Sequence, residues 1–179
     1  MKPSSREAIL DAAEAVTVEC GAVHMTLEAV AEKAGVSKGG LLYHFPTKEA
    51  LLLALVKRFM DRFNEKRLRL LEATDEGSLR EARAFVQGAF DSGTDAERPR
   101  AAFLAAAANG IELLQPIKEY YQARFAEFAE PDEAFPLCAV AALAADGLWM
   151  LELMQLSPLS PEQRERVKAK LFELLDAAG

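Results

Sequence analysis

Apolar positions recur at three- and four-residue spacing along almost the whole chain. Ile9, Ala13, Val16 and Cys20 form one such stripe, a period that belongs to helices rather than strands. Ser4 and Glu7 stand as a capping box ahead of it, and Gly21 closes it. Thr26 is placed to cap a short second helix, TLEAVAEKA, which ends at Gly35. The segment KGGLLYHF follows Val36 and Ser37. Pro46 and Thr47 then separate it from a long helix running from Lys48 to about Thr74, with Leu51, Leu52, Leu55, Phe59 and Phe63 on its apolar side.

The second half reads as further helices divided by turn chemistry. They are expected over about Ser78–Phe90, over Pro99–Leu114, from Pro116 onward, and from the Pro131/Pro136 pair to about Gln155. Ser160-Pro161-Glu162-Gln163 is a strong start signal for the last one: a cap, a proline at the first position, and a glutamine at the capping-box position. The fold class that follows is all-α, with an N-terminal three-helix domain, a C-terminal helical bundle and about nine helices. Composition agrees, because Ala and Leu together number 58 against 17 for Val, Ile and Thr, and the first pair favours helices while the second favours strands.

Composition then narrows the function classes. The 179 residues suffice for a sizeable core. The longest uncharged run is the twelve residues between Glu133 and Asp146, short of the ~18 that a bilayer span requires, so no membrane partner is expected. Residues 2–16 carry Glu7, Asp11 and Glu14 and do not read as a secretory signal. Two distant cysteines, Cys20 and Cys138, suit a reducing cytoplasm, and both are expected to pack in apolar surroundings. His24 and His44 stand in unrelated settings, so neither a metal nor another cofactor is expected. No nucleophile or acid/base pair with a placed partner is visible, which speaks against an enzyme. The net charge of −7 lies wholly in residues 67–179, whereas positions 33–48 hold Lys33, Lys38 and Lys48 and no acid. A local cationic patch matters more for phosphate binding than net charge does.

Residues 27–44 meet the requirements of a helix-turn-helix. Ala31 is the small residue where two helices touch, and Gly35, four positions on, tolerates the left-handed turn. Leu27, Val30, Ala34, Val36 and Leu41 form the apolar inside of the pair, leaving Ser37, Lys38, Gly39, Gly40, Tyr43 and His44 to face outward. The segment TLEAVAEKAGVSKGGLLYHFPTKEALL closely resembles the DNA-binding region of the tetracycline-repressor (TetR) family of bacterial transcriptional regulators. The resemblance covers about residues 4–55.

That resemblance implies a sequence-specific regulator, by family habit a repressor, with a DNA-binding domain over residues 1–47 and an effector-binding and dimerising domain over 48–179. It implies that Ser37–His44 form the recognition helix, with Lys38 contacting bases or phosphate. Tyr43, His44 and Thr26 match phosphate-contacting positions, as does Lys48 at a helix N-terminus. Gly39 and Gly40 would let the backbone approach DNA closely, while leaving fewer side chains for base readout. Lys33 reads as an ordinary solvated lysine.

The implied partners are a near-palindromic operator, a small-molecule effector and a second copy of the chain joined through the last two helices. For the effector, Phe103, Tyr120 and Tyr121 offer an aromatic wall, while Asn109, Glu112 and Asp146, the last beside Trp149, are polar residues inside apolar helices. The same seven residues would also suit an ordinary core with a few buried hydrogen bonds. For the dimer, residues 137–154 read as apolar on two faces, one holding Leu137, Val140, Ala144, Leu148 and Leu151, the other Ala142, Leu143, Trp149, Met150 and Leu153. A monomer core would account for the same pattern. The alternative to a regulator is a helical interaction or small-molecule-binding protein without DNA binding.

Overall fold

The computed structural model describes residues 5–21, 24–74, 79–91, 97–128 and 132–178, with side chains omitted at 97–101 and 132. Among the described residues the regular structure is helical: α1 (Ser5–Cys20), α2 (Leu27–Ala34), α3 (Lys38–His44), α4 (Lys48–Glu72), α5 (Arg80–Phe90), α6 (Glu97–Asn109), α7 (Gln115–Phe128), α8 (Phe135–Leu153) and α9 (Pro161–Asp176). Short 3-10 turns cover Ile111–Leu114 and Asp132–Ala134. Ser4, Ser78 and Pro131, named above at helix starts, lie outside the described residues. The chain divides into two compact units, residues 1–61 with 97–119, and residues 62–96 with 120–179.

The first unit is built on α1, which packs against α2 and α6. Ile9, Leu10, Ala13, Val16, Met25, Val30, Leu41, Leu51, Leu52, Leu55 and Val56 are all buried. Thr17, buried among them, spends its hydroxyl proton on the Ala13 carbonyl at 2.7 Å, so its hydroxyl is not orphaned. Arg58 of α4 faces three carboxylates of α1: Glu7, Asp11 and the buried Glu14. An isolated buried charge would be costly, and this pairing is what allows Glu14 inside. Arg6 also lies over the Phe45 ring, 5.4 Å from its centre, tying α1 to the end of α3.

The second unit has α8 at its centre, packed on α5 and α9. Its core joins Phe85, Val86, Ala89, Phe90, Phe128, Cys138, Ala141, Ala142, Ala145, Leu148, Leu171 and Leu175. The capping box at Ser160 forms as the spacing predicts: Gln163 N–H donates to Ser160 Oγ at 3.2 Å, and Ser160 N–H to Gln163 Oε1 at 2.8 Å. Arg164, one turn on, donates to Glu152 Oε1 and to the Phe90 carbonyl, both at 2.6 Å, and so joins α9 to α8 and α5. By length and composition α8 is apolar enough to cross a bilayer. Its inward side is occupied by core packing, and Asp146 sits near its middle.

Four expectations need correction. The helix expected to reach Leu114 stops at Asn109, because Gly110 adopts a φ of 155° that breaks the helical path. Glu112, read as a polar residue inside an apolar helix, is consequently exposed on the following 3-10 turn. Cys20 is exposed, while Cys138 is buried as expected. The two faces of α8 also sort differently. Cys138, Ala141, Ala142, Ala145 and Leu148 point inward, whereas Val140, Leu143 and Leu151 are exposed together with Ala144 and Gly147. A helix apolar all round carries no periodic signal for which side turns in.

Candidate nucleic-acid interface

The helix-turn-helix is set by hydrogen bonds that each span only a few residues. Thr26 Oγ1 accepts from Ala29 N–H at 3.2 Å and starts α2. Gly35 takes the left-handed conformation with φ 67°, and Val36 N–H donates to the Ala31 carbonyl at 3.0 Å. With the bond from Gly35 N–H to the Glu32 carbonyl, this is a Schellman ending, which only a residue without a Cβ adopts cheaply. Ser37 Oγ then accepts from Gly40 N–H at 3.0 Å to start α3. A Cβ at Gly40 would come within 3.3 Å of that same Ser37 oxygen. Gly40 thus has a local reason to be bare, whereas at Gly39 the nearest atom would lie at 4.0 Å.

Leu41 is buried and anchors α3 to the first unit. The rest of the helix faces out. Thr26, Ser37, Lys38 and Gly39 are exposed, Gly40, His44 and Lys48 are half-buried, and Tyr43 is 84% exposed. Tyr43 and His44 pack edge to face with ring centres 5.2 Å apart, which holds the tyrosine away from the core. Lys48 is the first residue of α4, whose start is capped by Thr47 Oγ1 accepting from Ala50 N–H at 3.1 Å. Its ammonium favours an anion at this helix start.

Sequence reading missed Glu28. Its carboxylate meets Lys38 Nζ at 2.6 Å, and that ammonium, helped by the residue's own backbone N–H, holds the Glu28 pKa below the usual carboxylate range. The cation expected to meet DNA is therefore engaged by an acid of the neighbouring helix. Lys33 likewise pairs with Glu19 at 2.6 Å.

The residues named for an effector divide between the two units. Phe103, Asn109 and Glu112 belong to the first, and Asn109 Nδ2 spends its hydrogen bond on the Ala105 carbonyl of its own helix at 2.8 Å. Tyr120, Tyr121, Asp146 and Trp149 belong to the second, where Trp149 packs against the core. Tyr121 and Asp146 line one groove together with Gln122, Phe125, Leu143, Gly147 and Met150, a space of about 590 Å³ open to solvent. Tyr120 and Tyr121 continue an aromatic cluster with Phe63, Phe85, Phe125 and Phe128, ring centres standing 5.2 to 6.5 Å apart.

Burial pushes the Asp146 carboxyl up to about 7, against the pull of the nearby Tyr121 hydroxyl. Burial likewise pushes Tyr120 up to about 12, and raises Tyr121 with the Asp146 charge adding to the effect. Sequence reading did not find Gln122, Phe125, Leu143, Gly147 or Met150. The available signal was their spacing, since 121 and 125, and 143, 146, 147 and 150, each share one helix face.

Comparison with known proteins places these features. Residues 9–55 match the family model described as bacterial regulatory proteins of the tetR family, and residues 79–176 match that of the tetracyclin repressor-like C-terminal domain. The HTH-type transcriptional regulator BetI of Serratia proteamaculans (strain 568) is 31% identical over 161 residues, covering 84% of this chain and 81% of that protein. The HTH-type regulator RutR of Escherichia coli (strain K12) is 45% identical over 58 residues, 32% of this chain and 27% of RutR. Among solved structures, a protein described as a TetR-family regulator from Rhodococcus sp. superposes with a TM-score of 0.72 over 97% of both chains at 24% identity. AibR, solved with isovaleryl coenzyme A and operator DNA, has the same fold, with a TM-score of 0.68 at 19% identity over 94% of this chain and 96% of that one. With an outward-facing recognition helix and matches at both ends, the chain belongs to the TetR family of DNA-binding transcriptional regulators.

Proposed function

We propose that this regulator is a homodimeric repressor that binds a near-palindromic operator and is released from it by a small-molecule effector, acting in the cytoplasm where transcription takes place. Residues 1–47 bind DNA in this reading, and residues 48–179 bind the effector and dimerise. Lys38 reads bases from the start of α3, while Thr26, Ser37, Tyr43, His44 and Lys48 hold the phosphates on either side, and the bare Gly39 and Gly40 admit the backbone close to the duplex.

The observation that carries the reading is Tyr43, a large aromatic residue 84% exposed on a helix otherwise anchored by Leu41. An exposed ring of this kind is suited to lie along a sugar–phosphate backbone, with its hydroxyl donating to a phosphate. Support for the dimer comes from the outward side of α8, where Val140 and Leu151 stand exposed with Ala144, and from Leu174 on α9. Apolar stripes on adjacent helices are ordinarily covered, and a two-fold pair would cover both sets at once.

The test is selection of binding sites from random DNA. The expected product is two inverted half-sites about 34–36 Å apart, and Lys38→Ala relaxes preference at one or two base pairs of each. Enrichment of single half-sites refutes the dimer, an unchanged motif with Lys38→Ala refutes the base contact, and no enrichment of any sequence refutes specific binding.

A further inference from the structure

Asp146 presents an unusual arrangement. Its Oδ2 is buried and has no hydrogen-bond partner, although the Tyr121 hydroxyl is near enough to favour the charged carboxylate. The Tyr120 hydroxyl is also buried without a partner, and lies close enough for the Asp146 charge to oppose its ionisation. Buried polar atoms in folded proteins are nearly always satisfied, and of these two residues Asp146 lines an open groove, so its carboxylate marks the place of a missing hydrogen-bonding group. Above about pH 7 the Asp146 carboxyl is ionised and only accepts, so the group that meets it there donates.

The surroundings define its chemistry further. Tyr121 and Phe125 supply aromatic walls, and Leu143, Gly147 and Met150 an aliphatic floor. Aromatic faces attract cations, while an anion would meet the Asp146 charge. A hard metal ion needs several oxygen ligands, and this groove offers one carboxylate. The cations Arg67 and Arg124 act on Tyr120, and Arg124 lies over the Tyr120 ring at 5.6 Å with its Nη1 on Glu127. The titratable groups bearing on Asp146 itself are the two tyrosine hydroxyls.

Resting on the effector reading above and deepening it, we infer that the groove between α7 and α8 takes a protonated organic amine with an apolar body. Its N–H donates to the Asp146 carboxylate, and its apolar part lies on Tyr121, Phe125 and Met150. A side chain of a second copy could reach the same groove, but Asp146 is half-buried, and a slender ligand reaches a half-buried carboxylate better than a flat protein surface does.

The test is fluorescence titration of the full chain at pH 8 with dansylcadaverine, its N-acetyl derivative and its trimethylammonium analogue. Dansylcadaverine is expected to bind the wild type at least tenfold more tightly than either relative, which lack the charge and the N–H respectively. Asp146→Asn is expected to abolish that preference while circular dichroism and DNA retention stay as in the wild type. Equal affinity for the amine and the N-acetyl compound overturns the inference, as does a preference that survives Asp146→Asn. Equal binding of the trimethylammonium compound overturns the N–H contact. If the wild type ignores all three probes and Asp146→Asn changes its mass in sedimentation equilibrium, a second copy is the occupant and the inference falls. The effector reading fails separately: an amine that binds through Asp146 yet leaves affinity for selected DNA unchanged refutes release and keeps the ligand class.

Discussion

Replacing Asp146 by Asn removes a charge whose burial weakens the fold above neutral pH. In the unfolded chain this carboxyl ionises near 3.8, and in the folded chain near 7. Between those values the folded state holds a proton that the unfolded state has released. Stability therefore falls as pH rises through the window and levels off above its upper end. At about 1.4 kcal/mol per pH unit, the stretch from pH 5 to the folded value corresponds to roughly 3 kcal/mol. Asn keeps the shape but never ionises. The variant should match the wild type at pH 5 to within about 1 kcal/mol and exceed it by roughly 3 kcal/mol at pH 8. The assay is urea unfolding of both proteins at several pH values and one protein concentration, because the proposed dimerisation would make stability concentration-dependent. Taking the difference between the two proteins cancels the titration of every other group. A difference that stays flat from pH 5 to pH 8 would show that Asp146 ionises normally in the folded chain, and the argument from its burial would be wrong.

Three further outcomes are expected. Lys48→Ala weakens binding to all DNA sequences about equally and lowers the slope of log affinity against log salt by roughly 1; a change confined to particular base pairs would contradict a phosphate contact. Glu28→Gln frees Lys38 and removes a negative charge beside it, so gel shifts at moderate salt should show tighter DNA binding, and weaker binding would mean that Glu28 instead orients the lysine productively. Ser160→Ala breaks the reciprocal capping box of α9 and should cost about 1 kcal/mol in chemical unfolding, with a loss below about 0.3 kcal/mol showing that the Arg164 bonds fix the helix start without it.

The helix-turn-helix was legible because its determinants are local. Thr26, Gly35, Ser37 and Thr47 each act on backbone groups three to five residues away, so the chain order alone specifies who meets whom. The same holds for Ser160 and Gln163. Ten residues and a turn separate Glu28 from Lys38, and no spacing rule pairs them. Only the crossing of α2 and α3 brings carboxylate to ammonium.

The second half followed the same division. Its helices could be placed from prolines, glycines and caps, yet the sequence did not determine what each helix touches. α8 is apolar on every side, so periodicity had no power to say that Cys138, Ala142 and Ala145 turn inward while Val140 and Leu143 turn out. Asn109 and Glu112 looked like buried polar groups on sequence, but Gly110 ends the helix between them and leaves the glutamate in solvent. Asp146 looked equivalent to them, and it alone of the three is a half-buried acid with an unpartnered oxygen. Tyr121, which lines the same groove, lies 25 residues earlier on a different helix. Helix identity is written in hydrogen bonds within one turn of chain, whereas the burial of a charge is a property of everything packed around it, which exists only once the helices have met.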